Sequence, residues 1–145
     1  MSERPNILFI ISDQMTTALT GVYGHPVVQT PHLQRLAAES VRFDAAYTPF
    51  PLCSPSRACM MTGRHASEIG AWDNGALLPA DQVTFAHYLS NAGYDTVLSG
   101  KMHFVGPDQL HGFQRRLTTD IYSCHFDWVK PEWIRIKETQ GRDCE

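Results

Sequence analysis

The sequence predicts an α/β fold built around a mostly parallel sheet, and three features predict it. A continuous apolar run, "NILFIIS", spans Asn6–Ser12, the pattern of a strand buried on both faces. Further strand-like runs alternate with segments of helical spacing. Capping residues punctuate those segments where helices should begin and end.

The elements follow in chain order. "TPHLQRLAAES" predicts a helix with Thr30 as N-cap, Pro31 at the first helical position, and Leu33, Leu36 and Ala37 on one apolar face. "VRFDAAYT" (Val41–Thr48) reads as a strand. A second helix starts near Ser54-Pro55, with Pro55 at its first position, and stops at Gly63. A third, "TFAHYLSNAG", opens at Thr84 and closes on Gly93, because glycine takes the left-handed conformation of a C-terminal cap without penalty. "YDTVLSG" (Tyr94–Gly100) is the next strand. No internal repeat or low-complexity segment interrupts this order.

Composition bounds the function. The chain has 145 residues, 43% hydrophobic and 19% charged, with a net charge of −3; those values suit one soluble globular domain. Acidic residues outnumber basic ones and no basic run occurs, so nucleic acid is not an expected partner. The apolar run Ile7–Ile11 is far too short to span a bilayer. Ser12-Asp13-Gln14 follows it where a signal peptide would need small residues for cleavage, so a cytoplasmic protein with no membrane partner is expected. Cys53, Cys59, Cys124 and Cys144 show no C-x-x-C spacing, which favours free thiols over zinc or a disulfide framework.

In parallel sheets ligands gather beyond the carboxyl ends of the strands. Asp13-Gln14 follows the first predicted strand, Cys53 lies in the loop after the second, and Lys101-Met102-His103 follows "YDTVLSG". An acid, a thiol and a Lys/His pair are therefore expected to converge on one rim. Taken one at a time, each residue has a plainer reading. Cys53 is a small buried thiol or a nucleophile. Arg57 is a surface charge or an anion ligand. Asp13 and Gln14 are turn residues or oxygen donors to a hard cation. Lys101 and His103 are a solvated lysine and a loop histidine, or a charge-neutralising pair. His111, in "DQLHGF", is structural or substrate-facing, and His25, His32, His65, His87 and His125 carry no functional claim.

The segment "CSPSR" (Cys53–Arg57) matches C-x-P-x-R, and "PNILFIISDQ", "TPHLQRLAAESVRFDAAYT", "MTGR" and "AGYDTVLSGKMHFVGPDQLHGF" surround it. With proline near ~5% of average usage and cysteine rarer, the signature should arise by chance in fewer than about one in a hundred sequences of this length. Together these segments resemble the type I sulfatases, and the variant with Asp-Gln after the first strand, "SGKMHFVGPDQLHGF" and "RLTTDIY" looks most like the choline-sulfatase branch. The resemblance covers roughly Pro5–Trp128.

This resemblance implies an alkaline-phosphatase-like α/β fold, a mostly parallel sheet flanked by helices, of which residues 1–133 are an N-terminal portion. It implies conversion of Cys53 to formylglycine (3-oxoalanine) by a formylglycine-generating or anaerobic maturation enzyme. The hydrated aldehyde attacks the sulfur of a sulfate ester, expels the alcohol, and is regenerated when its second hydroxyl loses a proton and sulfate leaves. Arg57 holds the modified residue and neutralises the anionic centre, helped by the helix N-terminus. Lys101 binds a sulfate oxygen, and His103 assists deprotonation of the diol. Asp13, Gln14 and the modified Cys53 contribute to a divalent metal site, Ca²⁺ first, with Mg²⁺ or Mn²⁺ as alternatives. Many sulfatases carry two aspartates where this chain has Asp13-Gln14, and the amide removes one negative charge from that site.

For a choline sulfate substrate the quaternary ammonium needs aromatic faces. "CHFDWVKPEW" supplies Phe126, Trp128 and Trp133; Trp128 is the expected aromatic wall and Asn74 the expected contact to the sulfate end, with core packing the competing role for the rings. Residues 134–145 match nothing in the pattern. The later metal ligands and the groups that protonate the leaving alcohol are also missing, so the chain reads as an incomplete fragment, inactive alone and a homo-oligomer at full length. A sheet so shortened should leave an apolar face exposed. The competing readings are a phosphonate monoester or phosphodiester hydrolase using the same formylglycine, a binding module in which Cys53 stays a thiol, and an inactive fragment.

Overall fold

The computed structural model describes residues 4–118 and 120. The chain divides into two compact units, Met1–Tyr47 and Thr48–Glu145.

In the first unit, single 3-10 turns at Thr17–Leu19 and Gly21–Tyr23 precede helix α1 (Pro31–Ala38). Pro31 takes the first helical position as expected. Thr30 takes the N-cap position, but its hydroxyl accepts from the Gly21 N–H at 2.9 Å rather than from its own helix. Two expected strands do not form: Asn6–Ser12 and Val41–Thr48 carry no strand pairing. A strand is stabilised by its neighbours, and no neighbouring strand lies beside either segment among the described residues. Instead Arg42 fastens its segment locally, donating to the Val22 carbonyl at 3.1 Å and to Asp44 Oδ1 at 2.7 Å. The expected apolar face of α1 is also uncovered, with Leu33 42% and Leu36 63% exposed.

The core belongs to the second unit. Helix α2 (Cys53–Thr62) buries Ser54, Pro55, Arg57, Ala58, Cys59 and Met61. It begins earlier than the sequence predicts, which moves Pro55 from the first to the third helical position. That position costs nothing, because the first N–H groups of a helix have no intrahelical partner for proline to forfeit. Gly63 ends α2 at φ 68°. Short helix α3 (Ala66–Ile69) follows, then α4 (Phe85–Asn91). Thr84 is the N-cap of α4, and its N–H donates to His87 Nδ1 at 3.1 Å. Ala58, Cys59, Met61, Ala66, Ile69, Ala71, Leu78, Ala86, Leu98, Met102 and Phe104 form one cluster.

The strand expected over Tyr94–Gly100 shortens to β1 (Val97–Leu98). It pairs in parallel with β2 (Arg115–Arg116), register Val97 to Arg115; the sequence reading did not anticipate β2. The parallel sense agrees with expectation, and the segment between the two strands carries Lys101 and His103.

Candidate active site

Two bridges tie the first two turns of α2 to the loop that follows β1. Cys53, half-buried, is the first residue of α2 rather than a loop residue before it. The next N–H, that of Ser54, donates to Asn74 Oδ1 at 3.1 Å. Leu52, at the N-cap position, makes no side-chain cap, so Asn74 supplies the cap from 20 residues away. The main-chain carbonyl of the same Asn74 lies 3.1 Å from His103 Nε2. A carbonyl only accepts, so Nε2 carries the proton in the neutral ring and Nδ1 holds the lone pair. One turn along α2, Arg57 Nη1 donates to the Lys101 carbonyl at 2.9 Å. Cys53, Arg57, Asn74, Lys101 and His103 are thereby linked within one unit.

The electrostatics suit an anion and a neutral base. The N-terminus of α2, the Arg57 guanidinium and the Lys101 ammonium all favour negative charge. Burial pushes the His103 pKa below the ordinary histidine value, and Lys101 and Arg57 act in the same sense; the Asn74 carbonyl and Asp120 oppose them without prevailing. At neutral pH His103 is therefore an imidazole able to accept a proton. Its backbone sits at φ 61°, in the left-handed region that non-glycine residues seldom adopt, and Gln14 sits at φ 55°. Such conformations persist only where surrounding contacts impose them.

At His103 an imposing contact is Asp120, a residue to which the sequence assigned no role. Its fully buried carboxylate accepts through Oδ2 from the N–H groups of Met102 (2.9 Å), His103 (2.5 Å) and Phe104 (3.3 Å). Arg116 Nη2 donates to the same oxygen at 2.8 Å. Burial alone would raise the Asp120 pKa, but the Arg116 bond and these N–H donors outweigh it and hold it below the usual carboxylate value. Asp120 lies in the "RLTTDIY" segment that helps carry the family resemblance, but that segment by itself gives the aspartate no role.

Of the other expected site residues, Asp13 and Gln14 form a turn in the first unit. Their oxygens are the right kind of donor for a hard cation, but two fall short of the about six to eight that Ca²⁺ takes. Among the described residues no group of three or more His, Cys, Asp or Glu side chains is placed to hold a metal, so they do not complete such a site. Trp128, with Phe126 and Trp133, lies outside the described residues. His111 is buried against the Phe104 ring (centroids 4.4 Å apart), with Nδ1 3.3 Å from Asp108 Oδ2, a packing role.

The signature cysteine opens a helix that is bridged to a Lys-x-His loop beside a parallel strand pair. The sulfatase family model matches residues 5–127, and the chain belongs to that family. Within it, the chain is 50% identical to the choline-sulfatase of Rhizobium meliloti (strain 1021), over 87% of this chain and 25% of that protein. It is 43% identical to arylsulfatase A of Bos taurus, over 78% of this chain and 25% of that one. The chain thus spans about a quarter of the length of these curated relatives. The structure of BT4656 in complex with its substrate D-glucosamine-2-N,6-O-disulfate matches with TM-score 0.74 and 41% identity, over 79% of this chain and 23% of that chain. The phosphonate monoester hydrolase of Agrobacterium radiobacter matches with TM-score 0.71 and 27% identity, over 95% and 29%. The expected alkaline-phosphatase-like α/β class is the class of these structures, and this chain corresponds to part of it.

Proposed function

We propose that this chain is the N-terminal part, residues 1–133, of the catalytic domain of a sulfuric ester hydrolase acting on choline sulfate through a formylglycine made from Cys53. The observation that carries the reading is the double bridge from α2 to the Lys101–His103 loop, which links the signature helix to an anion-binding lysine and a neutral histidine. Identity of 50% to a choline-sulfatase supports the choice of substrate.

Family membership implies formylglycine and a divalent metal. Formylglycine supplies a hydrated aldehyde, one hydroxyl to displace the alcohol and the other to release sulfate. This chain's residues serve that chemistry in distinct ways. Arg57 and Lys101 bind the anionic ester and offset charge that grows in the transition state. Asn74, its Oδ1 engaged by Ser54, presents its amide N–H₂ to the sulfate. His103 takes a proton at Nδ1. Asp13 and Gln14 contribute two oxygen donors, and we assign Ca²⁺ ahead of Mg²⁺ or Mn²⁺. Trp128 packs on the quaternary ammonium. A maturation enzyme is the required partner, and we place the protein in the cytoplasm.

A second reading, phosphonate monoester hydrolysis on the same centre, is favoured by the match to the Agrobacterium enzyme over 95% of this chain. Turnover of choline sulfate and of a phenylphosphonate monoester by the matured, full-length protein separates the two. Higher kcat/KM on choline sulfate is expected; higher kcat/KM on the phosphonate overturns the sulfatase reading.

A further inference from the structure

We propose that Asp120 is a positioning residue for His103: its carboxylate holds three consecutive backbone N–H groups and so fixes the strained turn that sets the imidazole against the Asn74 carbonyl. The inference rests on the role given to His103 above, and it concerns a residue outside both the signature and the Lys-x-His motif.

The geometry is that of an anion nest, in which successive N–H groups around a left-handed residue converge on one negative charge. Here the anion is a side chain of the protein itself. Asp120 Oδ2 gathers the N–H groups of Met102, His103 and Phe104, and the residue at the centre is the one with φ 61°. That conformation is unfavourable for a histidine, and the three N–H bonds to the carboxylate favour it. The carboxylate is in turn fixed by Arg116, itself 9% exposed. Arg116 Nη1 donates to Gln109 Oε1 at 2.8 Å and to the Gln109 carbonyl at 3.1 Å, and Nη2 donates to the Gly100 carbonyl at 3.3 Å. The guanidinium also stands 5.8 Å over the Phe104 ring. Both ends of the loop bearing Lys101 and His103 are thus held from one ion pair. A surface pair would add little; removing one member of a buried pair leaves the other uncompensated.

Among the described residues, the charged groups acting on His103 include Arg57 from α2, Lys101 from its own loop, and Asp120. Asp120 alone among these favours the imidazolium, so neutralising it lowers the His103 pKa further. That effect separates positioning from general scaffolding. The test is kcat, KM, the pH dependence of kcat/KM and a melting curve for wild type, Asp120→Asn and Asp120→Glu, in the matured full-length protein with nitrophenyl sulfate.

For a folded Asp120→Asn, kcat falls ~10-fold or more with KM little changed, and the acidic limb of the profile moves to lower pH. Asp120→Glu, which keeps the charge, restores the limb and part of kcat. Folded Asp120→Asn with wild-type kcat and limb overturns the proposal, as does activity lost only in proportion to folded fraction with the limb unmoved. Should Asp120→Asn fail to fold, Asp120→Glu decides: a lowered kcat with the limb retained supports positioning, and wild-type kcat overturns it. Inactive wild type with every sulfate ester instead removes the sulfatase reading, a distinct result.

Discussion

Arg57 and Lys101, 44 residues apart in sequence, meet where the buried guanidinium donates to the lysine's main-chain carbonyl at 2.9 Å. The arginine of the signature therefore touches the Lys-x-His motif through backbone, and its substitution should disturb both folding and charge. Arg57→Met leaves that carbonyl without this donor, at a cost of about 1–3 kcal/mol. Arg57→Lys retains the charge but not the planar fork and should recover only part of the loss. Denaturant midpoints of the two variants check this; wild-type stability in Arg57→Met would show that the bond is dispensable.

Asn74 separates a structural from a chemical contribution. Asn74→Ala removes the acceptor for the Ser54 N–H and should cost about 1 kcal/mol, while the carbonyl that faces His103 remains. Asn74→Asp keeps an acceptor and places a negative charge at the N-terminus of α2, which favours the helix. Its stability should match wild type, yet its KM for a sulfate ester should rise because it repels the anion. Equal KM for Asn74→Asp and wild type would remove Asn74 from the substrate end.

Acid should weaken the fold in two stages. Burial holds the pKa of both His103 and His111 below the ordinary 6.5, so the unfolded chain binds those protons more readily. The stabilisation is complete above pH 6.5 and declines as pH falls below it. Asp108 and Asp120 are also depressed, from 3.8, by N–H donors and cationic partners that outweigh burial. Their contribution is complete above pH 3.8 and is lost below that value. Urea midpoints from pH 8 to 3 should fall in these two windows; a midpoint flat between pH 7 and 5 would contradict the histidine assignment.

Gly112 packs tightly against α4. At φ 94°, a Cβ there would lie 2.5 Å from His87 Nδ1 and 2.7 Å from the His87 main-chain N, against the first turn of α4. Gly112→Ala combines a left-handed strain of about 1–2 kcal/mol with that clash, and its melting temperature should drop by several degrees. An unchanged melting temperature would mean that α4 moves aside.

What was legible in the sequence was what local chemistry determines. Pro31, Thr84, Gly63 and Gly93 mark helix ends because caps and turns depend on the residue at the position. The Asn6–Ser12 and Val41–Thr48 strands were misread for the opposite reason: Ile7–Ile11 are 40–84% exposed, and apolar content alone makes no strand without a neighbour to pair with. The cysteine, arginine, lysine and histidine of the site stood out by their spacing. Asp120 did not, since it acts on three main-chain N–H groups that no side-chain pattern records, and the left-handed turns at Gln14 and His103 were equally silent.

The proposed function requires residue 53 to be an aldehyde in the mature protein. Trypsin, cutting after Arg42 and Arg57, releases Phe43–Arg57 with Cys53 as its only cysteine, and its mass can be read after co-expression with a formylglycine-generating enzyme. The expected peptide is lighter than the thiol form and reacts with a hydrazide probe. A peptide of unmodified thiol mass that alkylates fully, from cells in which a known sulfatase is converted, would contradict it.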